Sequence, residues 1–138
     1  MSKLETPLTR RYWREVGGTL IEEFPAVRRR LGCGQRLIDA VIIPDGPFER
    51  RKANQVDITG KDIIVVQTKA NRLGMYLMGQ AVFSQKLMER FKPSSIRSVA
   101  ICTRSDEVLE PLLKETGVEL VVYSDEDPEN APGYSGPN

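Results

Sequence analysis

Asp39, Gln67 and Lys69 are polar residues in stretches that otherwise read as buried strands. Residues 61–69 read K-D-I-I-V-V-Q-T-K. The β-branched residues Ile63, Ile64, Val65 and Val66 predict a strand covered on both faces, because stiff χ1 angles suit a pleat and no polar side is left for water. Gln67 and Lys69 follow two apart, so alternation brings an amide oxygen and an ammonium out together while Thr68 points away. The bland alternative is that both are polar fringe where the strand meets solvent. Residues 37–43, L-I-D-A-V-I-I, predict a second strand with Asp39 in apolar company. An unpaired carboxylate there is costly, so Asp39 needs a partner. That partner is a cation, with Arg36 in a plain ion pair as the candidate, several N–H donors, or a metal ion that Gln67 and Lys69 reach from the neighbouring strand. The chain has no histidine, which removes Ser-His and Cys-His nucleophiles and the usual histidine zinc sites. Any hydrolytic chemistry rests on carboxylates, lysine and a hard metal ion.

The elements around these residues follow from periodicity. Trp13, Val16, Leu20 and Phe24 recur at three- and four-residue spacing, which predicts a helix over residues 7–24, entered at Thr6-Pro7 and ended by Pro25. On that helix Glu23 borders the apolar stripe and reaches inward best, while Glu15 and Glu22 point further out. Gly17 and Gly18 cost about 1 kcal/mol each inside a helix, which implies a close approach by another segment. A third strand is expected at 54–59, joined to the central one by the turn Thr59-Gly60-Lys61. Asp57 on it reads as structural or exposed. A second long helix over 73–91 carries Leu77, Ala81, Ser84, Met88 and Phe91 on one face, with Tyr76 and Gln80 spaced to hydrogen-bond each other. A strand over 96–103, a helix over 106–116 closed by Gly117 and a strand over 118–123 imply a crossover with parallel pairing. Residues 1–123 then form one α/β domain, and residues 124–138, acidic and rich in Pro, Gly and Asn, read as a disordered tail.

Length and composition fit this picture. The 138 residues suffice for a single core. No apolar run approaches the roughly 20 residues that cross a membrane, and the expected location is cytoplasmic. Cys33 and Cys102 lack metal-ligand spacing and are expected as free thiols. Residues 1–72 carry 14 basic against 9 acidic residues, and residues 73–138 carry 6 against 10, so the halves are about +5 and −4. The basic half concentrates charge at Arg10, Arg11 and Arg14, at Arg28, Arg29 and Arg30, and at Arg50, Arg51 and Lys52. Any one cluster reads as a solvated face. Together they suit phosphate contacts.

The order α-β-β-β-α-β, with Asp39 on one strand and Gln67-Thr68-Lys69 ending another, resembles the PD-(D/E)XK nuclease superfamily, over roughly residues 7–103. The resemblance implies a restriction-endonuclease-like αβββαβ core with a central mixed sheet of four to five strands flanked by helices. It implies Asp39 as the metal-binding aspartate, Lys69 as the lysine that orients or activates water, and Glu23 or Glu22 as the carboxylate of the first helix. Gln67 departs from the pattern, since the superfamily usually has Glu or Asp there. Mg²⁺ or Mn²⁺ is the implied cofactor, held by Asp39, the Gln67 amide oxygen, the Thr68 carbonyl and waters. Tyr76 and Gln80, with Glu22, would support the site from behind. The implied substrate is DNA, branched and single-stranded forms included, and cleavage of both strands needs two sites, which makes a homodimer the natural assembly. A module that keeps the fold but only binds nucleic acid or protein is the alternative, because a neutral amide removes one charge from the metal site.

Overall fold

The computed structural model describes residues 1–127. It is an α/β fold: one six-stranded mixed sheet with helices on both faces. The chain opens with α1, Glu5–Val16, which buries Leu8, Thr9 and Tyr12. It stops there because Gly17 and Gly18 take φ of 77° and 82°. The segment approaching Gly18 is the Ile43–Pro44 backbone: a Cβ on Gly18 would lie 2.2 Å from the Ile43 carbonyl oxygen. The expected helix over 7–24 is therefore half helix and half strand. Thr19–Val27 forms β1, whose helical spacing of Leu20 and Phe24 is coincidental.

β1 pairs antiparallel with β2, Arg36–Ile43, and a two-residue strand β3, Glu49–Arg50, lies parallel on the outer edge of β1. No strand forms over residues 54–59. A short 3₁₀ turn occupies Ala53–Gln55, and the Asp57 carboxylate accepts the Thr59 N–H at 2.9 Å. That local side-chain bond competes with a ladder and closes a turn instead. Val56 and Ile58 still pack into the core, which explains their alternation.

The central strand β4, Asp62–Thr68, pairs antiparallel with β2 and parallel with β5, Ser95–Cys102. Between them runs α2, Met75–Met88, continued by a 3₁₀ turn at Glu89–Phe91. A short α3, Leu109–Glu115, leads to β6, Glu119–Val122, parallel to β5. The spatial order is β3-β1-β2-β4-β5-β6. Leu8 and Tyr12 of α1 cover one face with Leu20, Ile42, Ile64, Val66 and Ile101. On the other face Met88 of α2 meets Ile21, Ile38, Val41 and Val65, and Leu77 meets Leu113 near α3. Every residue of β4 after Asp62 is buried, as its two-sided apolar pattern requires.

Neither Cys33 nor Cys102 is disulfide-bonded. Among the described residues no helix is long and apolar enough to cross a membrane. At the start of the expected disordered tail Arg11 Nη1 donates to the Asp127 carboxylate at 2.7 Å. The remainder of that tail, 128–138, lies outside the described residues.

Candidate functional site

The ladder between β2 and β4 runs from Ile42↔Ile64 to Ala40↔Val66 and ends there. Beyond it side chains take over from backbone. Thr68 donates its N–H to Asp39 Oδ2 at 2.8 Å, and Asp39 donates its own N–H to Gln67 Oε1 at 3.3 Å. A strand N–H points along the sheet towards the neighbouring strand, so the Asp39 carboxylate lies in the plane of the sheet, in the fork where the strands part. Its partner is thus the Thr68 backbone and not Arg36, whose guanidinium donates instead to the Gln35 carbonyl at 3.0 Å.

Strand alternation also breaks at this point. Ile21 and Phe24 both pack on the α2 side, as do Ile38 and Val41. The two residues inside each of these pairs, Glu22 with Glu23 and Asp39 with Ala40, therefore stand towards α1 or at the sheet plane. Glu23 accomplishes this with φ of 52°, a left-handed conformation costing about 1 kcal/mol or more in a side-chain-bearing residue. The Glu23 carboxylate accepts a short hydrogen bond from the Met1 amino group.

Burial drives the Asp39 carboxyl pKa up. The Thr68 N–H and the Met1 ammonium oppose that shift, and the carboxylates of Glu23 and Glu5 add to it. The Met1 amine is raised in turn, first by its bond to Glu23 and further by Asp39 and Glu5. Three carboxylates thus act on one cation at the mouth of the fork. Glu5, in the first turn of α1, was missed by the sequence reading. Its signal was an acid in the first turn of the first helix, masked because the helix was extended to Glu23. With α1 ending at Val16, Glu22 and Glu23 are strand residues. Glu22 is held by Arg10 through two bonds of 2.9 and 3.1 Å, and Arg50 approaches it at 3.7 Å.

Gln67 is 2% exposed. Its Nε2 donates to Ser84 Oγ of α2 at 2.6 Å, so both ends of the amide are engaged inside the protein. Thr68 faces the other way, with its hydroxyl 2.7 Å from Thr9 Oγ1 of α1. By the same alternation Lys69 leaves β4 on the α2 side. It is exposed, its N–H donates to the Ile101 carbonyl at 2.9 Å, and among the described residues it forms no ion pair. Asp39 and Gln67 meet through the Asp39 backbone N–H, and among the described residues no hydrogen bond or ion pair joins the Lys69 side chain to either. Tyr76 is 75% exposed, and among the described residues no hydrogen bond joins it to Gln80. Both line a groove of about 590 Å³ with Gln67 at its floor.

Arg50, Arg51 and Lys52 line a second groove, about 740 Å³, together with Glu22 and Glu23. Arg28, Arg29 and Arg30 lie elsewhere, in the exposed turn between β1 and β2.

The donors at the fork are oxygens, which suits a hard cation. Among the described residues no three His, Cys, Asp or Glu side chains form a group that could hold a metal. Mg²⁺ does not require one, since it is commonly held by one or two carboxylates with waters and substrate phosphates. At the same end of the sheet the Thr103 hydroxyl is buried and has no hydrogen-bond partner among the described residues. Comparison with known proteins found no match to this chain among protein families, curated proteins or solved structures.

Proposed function

We propose that this protein is a metal-dependent phosphodiester hydrolase acting on DNA, with a restriction-endonuclease-like core. The observation that carries the reading is the fork: a half-buried Asp39 carboxylate at the parting of β2 and β4, bonded to the Thr68 N–H, with the Gln67 amide oxygen beside it and Glu5 and Glu23 adding negative charge. The connectivity is consistent with an αβββαβ core. β1, β2 and β4 form an antiparallel meander, and β5 follows in parallel after the α2 crossover. On this reading Asp39 and the Gln67 amide oxygen hold Mg²⁺ or Mn²⁺, and Glu5 takes the place given to Glu23 or Glu22 as the first helix's carboxylate. A metal bound there would acidify a water and stabilise charge on the phosphate. Lys69, on a flexible four-carbon stem at the end of the fork, would orient that water. Arg50, Arg51 and Lys52, beside Glu23, would receive the DNA backbone.

A nucleic-acid-binding module without hydrolysis is the second reading. It is favoured by Gln67, whose amide is spent on Asp39 and Ser84. The test is incubation of wild type, Asp39→Ala and Lys69→Ala with branched, nicked and linear DNA in Mg²⁺ and in Mn²⁺, with cation binding followed by calorimetry. Cleavage by wild type alone supports the hydrolase. Equal cleavage by all three proteins points to a contaminant. If wild type shows neither cleavage nor Asp39-dependent cation binding, the binding module replaces the hydrolase.

A further inference from the structure

Among the described residues nothing covers the outward face of α2. Met75, Tyr76 and Phe83 are 77%, 75% and 67% exposed, and the helix as a whole is apolar on nearly every side, which a lone surface helix is not. Gly79 stands between Tyr76 and Phe83. A glycine inside a helix is destabilising, yet a Cβ on Gly79 would meet nothing within 4 Å, so nothing among the described residues requires it. It leaves the helix backbone open to something from outside. Tyr76 and Phe83 are seven residues apart, about 10.5 Å along the axis, and bases stack about 3.4 Å apart, so the space between the rings takes about two bases. The facing wall of the groove is the start of β2, with Arg36 and Leu37, and Gln67 forms its floor.

The charge around the groove selects the occupant. Among the described residues Arg28, Arg29, Arg30 and Arg36 make no ion pair; Arg36 lines this groove, Arg28 and Arg30 line another one with Phe24, Arg90 and Phe91, and the β1–β2 turn that carries them runs on in the chain to the groove wall at Arg36. The turn is closed by reciprocal Arg30 and Cys33 backbone bonds at 3.0 Å, and Leu31 at its tip is fully exposed. A polyanion with planar apolar groups satisfies both features.

We propose that the groove between α2 and the start of β2 binds unpaired nucleic-acid bases, stacked over Gly79 between Tyr76 and Phe83. Leu31 enters the base stack where the duplex opens. Apolar wedges flanked by arginines act this way on duplex DNA, and aromatic platforms hold single strands irrespective of sequence. The substrate class is thereby DNA with unpaired bases next to a duplex. This inference rests on the nucleic-acid side of the proposed function but not on hydrolysis.

The test is fluorescence anisotropy of the full chain with a labelled oligothymidylate, a blunt hairpin duplex and a forked duplex, all in EDTA so that cleavage does not intervene. Tyr76→Ala and Phe83→Ala should each weaken oligothymidylate binding by roughly 5- to 150-fold, with the blunt duplex little affected. Gly79→Ala should raise the melting temperature and still weaken oligothymidylate binding, a combination that a purely structural role does not give. Leu31→Ser should lower affinity for the forked duplex and leave oligothymidylate unchanged. Unaltered oligothymidylate affinity in the Tyr76, Phe83 and Gly79 variants would overturn the proposal. So would conversion of a wild-type dimer to monomer by Phe83→Ala in sedimentation, which would make the face a self-interface. Equal forked-duplex affinity for Leu31→Ser, or Leu31-dependent binding to anionic phosphatidylserine vesicles in place of DNA, removes the wedge. The outcomes separate this inference from the hydrolase reading. Tyr76-dependent binding without metal-dependent cleavage leaves the groove and ends the hydrolase. Cleavage with Tyr76-independent binding does the reverse.

Discussion

Replacing Gln67 by glutamate probes the fork most directly. The amide is 2% exposed and bonded to the Asp39 N–H and to Ser84 Oγ. Gln67→Glu keeps the shape and both hydrogen bonds, since the Ser84 hydroxyl can donate where it now accepts. What changes is charge: a buried carboxylate beside Asp39, whose own pKa burial already raises. An uncompensated buried charge of this kind costs about 3–5 kcal/mol, part of which protonation relieves. The folded-state pKa of the new glutamate lies above its unfolded value of about 4.3. The folded state then holds more protons between the two values, so stability falls as pH rises through that window and the penalty is absent below it. Urea denaturation of wild type and Gln67→Glu at acid and at neutral pH, each in EDTA and in Mn²⁺, reads this out. In EDTA the variant should be near wild type at acid pH and several kcal/mol less stable at neutral pH. Mn²⁺ should restore much of that loss, because a second carboxylate strengthens the site, and at a hundredfold excess over Kd a ligand adds about 2.7 kcal/mol. A loss independent of pH would mean that the charge is not buried as described. A pH-dependent loss that Mn²⁺ leaves untouched would refute the reasoning that the fork holds a cation.

Three further perturbations test separate parts of the structure. Asp39→Asn keeps an acceptor for the Thr68 N–H and removes the charge that burial opposes. In thermal melts without metal it should be more stable than wild type at neutral pH, by about 1.4 kcal/mol for each pK unit of the shift it removes, with the difference vanishing below the ordinary aspartate range. Gly18→Ala forces a side chain to φ of 82° and puts a Cβ 2.2 Å from the Ile43 oxygen, so it should cost about 3 kcal/mol or more, roughly 10 °C in Tm. A smaller loss would mean that the α1–β1 junction is not held against β2. Substituting Arg50, Arg51 and Lys52 by alanine should lower the slope of log affinity against log salt for duplex DNA by about two to three, one phosphate contact for each residue. An unchanged slope would take the DNA path away from that groove.

The strands β2 and β4 were legible because their signals are local: β-branched runs ended by Pro44 or by polar residues. The pairing of Asp39 with Gln67 followed from placing those strands side by side. The first helix was not legible. Trp13, Val16, Leu20 and Phe24 keep helical spacing across Gly17-Gly18, and only the tertiary approach of Ile43 shows that the glycines break the helix rather than merely thin it. Glu22 and Glu23, expected on the first helix, are therefore residues of β1. Residues 54–59 failed for the opposite reason, since Val56 and Ile58 alternate like a strand while Asp57 spends its carboxylate closing a turn.

The irregularities on the two neighbouring strands have one consequence. Had β1 and β2 kept strict alternation from Ile21 and Val41, Glu23 and Asp39 would each have pointed towards α2, among Ile21, Val41 and Val65, where an ionised carboxylate has no partner. The left-handed turn at Glu23 and the break at Asp39 lie opposite each other in the β1–β2 register. They bring both carboxylates to the place where the β2–β4 ladder ends and backbone N–H groups need acceptors. Asp39 satisfies Thr68 there, and Gln67 satisfies Asp39. The polar residues therefore close the fork as much as they occupy it. A cation entering the fork would compete with those two hydrogen bonds, so its binding should loosen them. Amide hydrogen exchange at Thr68 and Asp39 should accelerate on adding Mn²⁺ while the β4 interior stays protected. Unchanged exchange at both amides, with saturating Mn²⁺ bound elsewhere, would place the cation outside the fork.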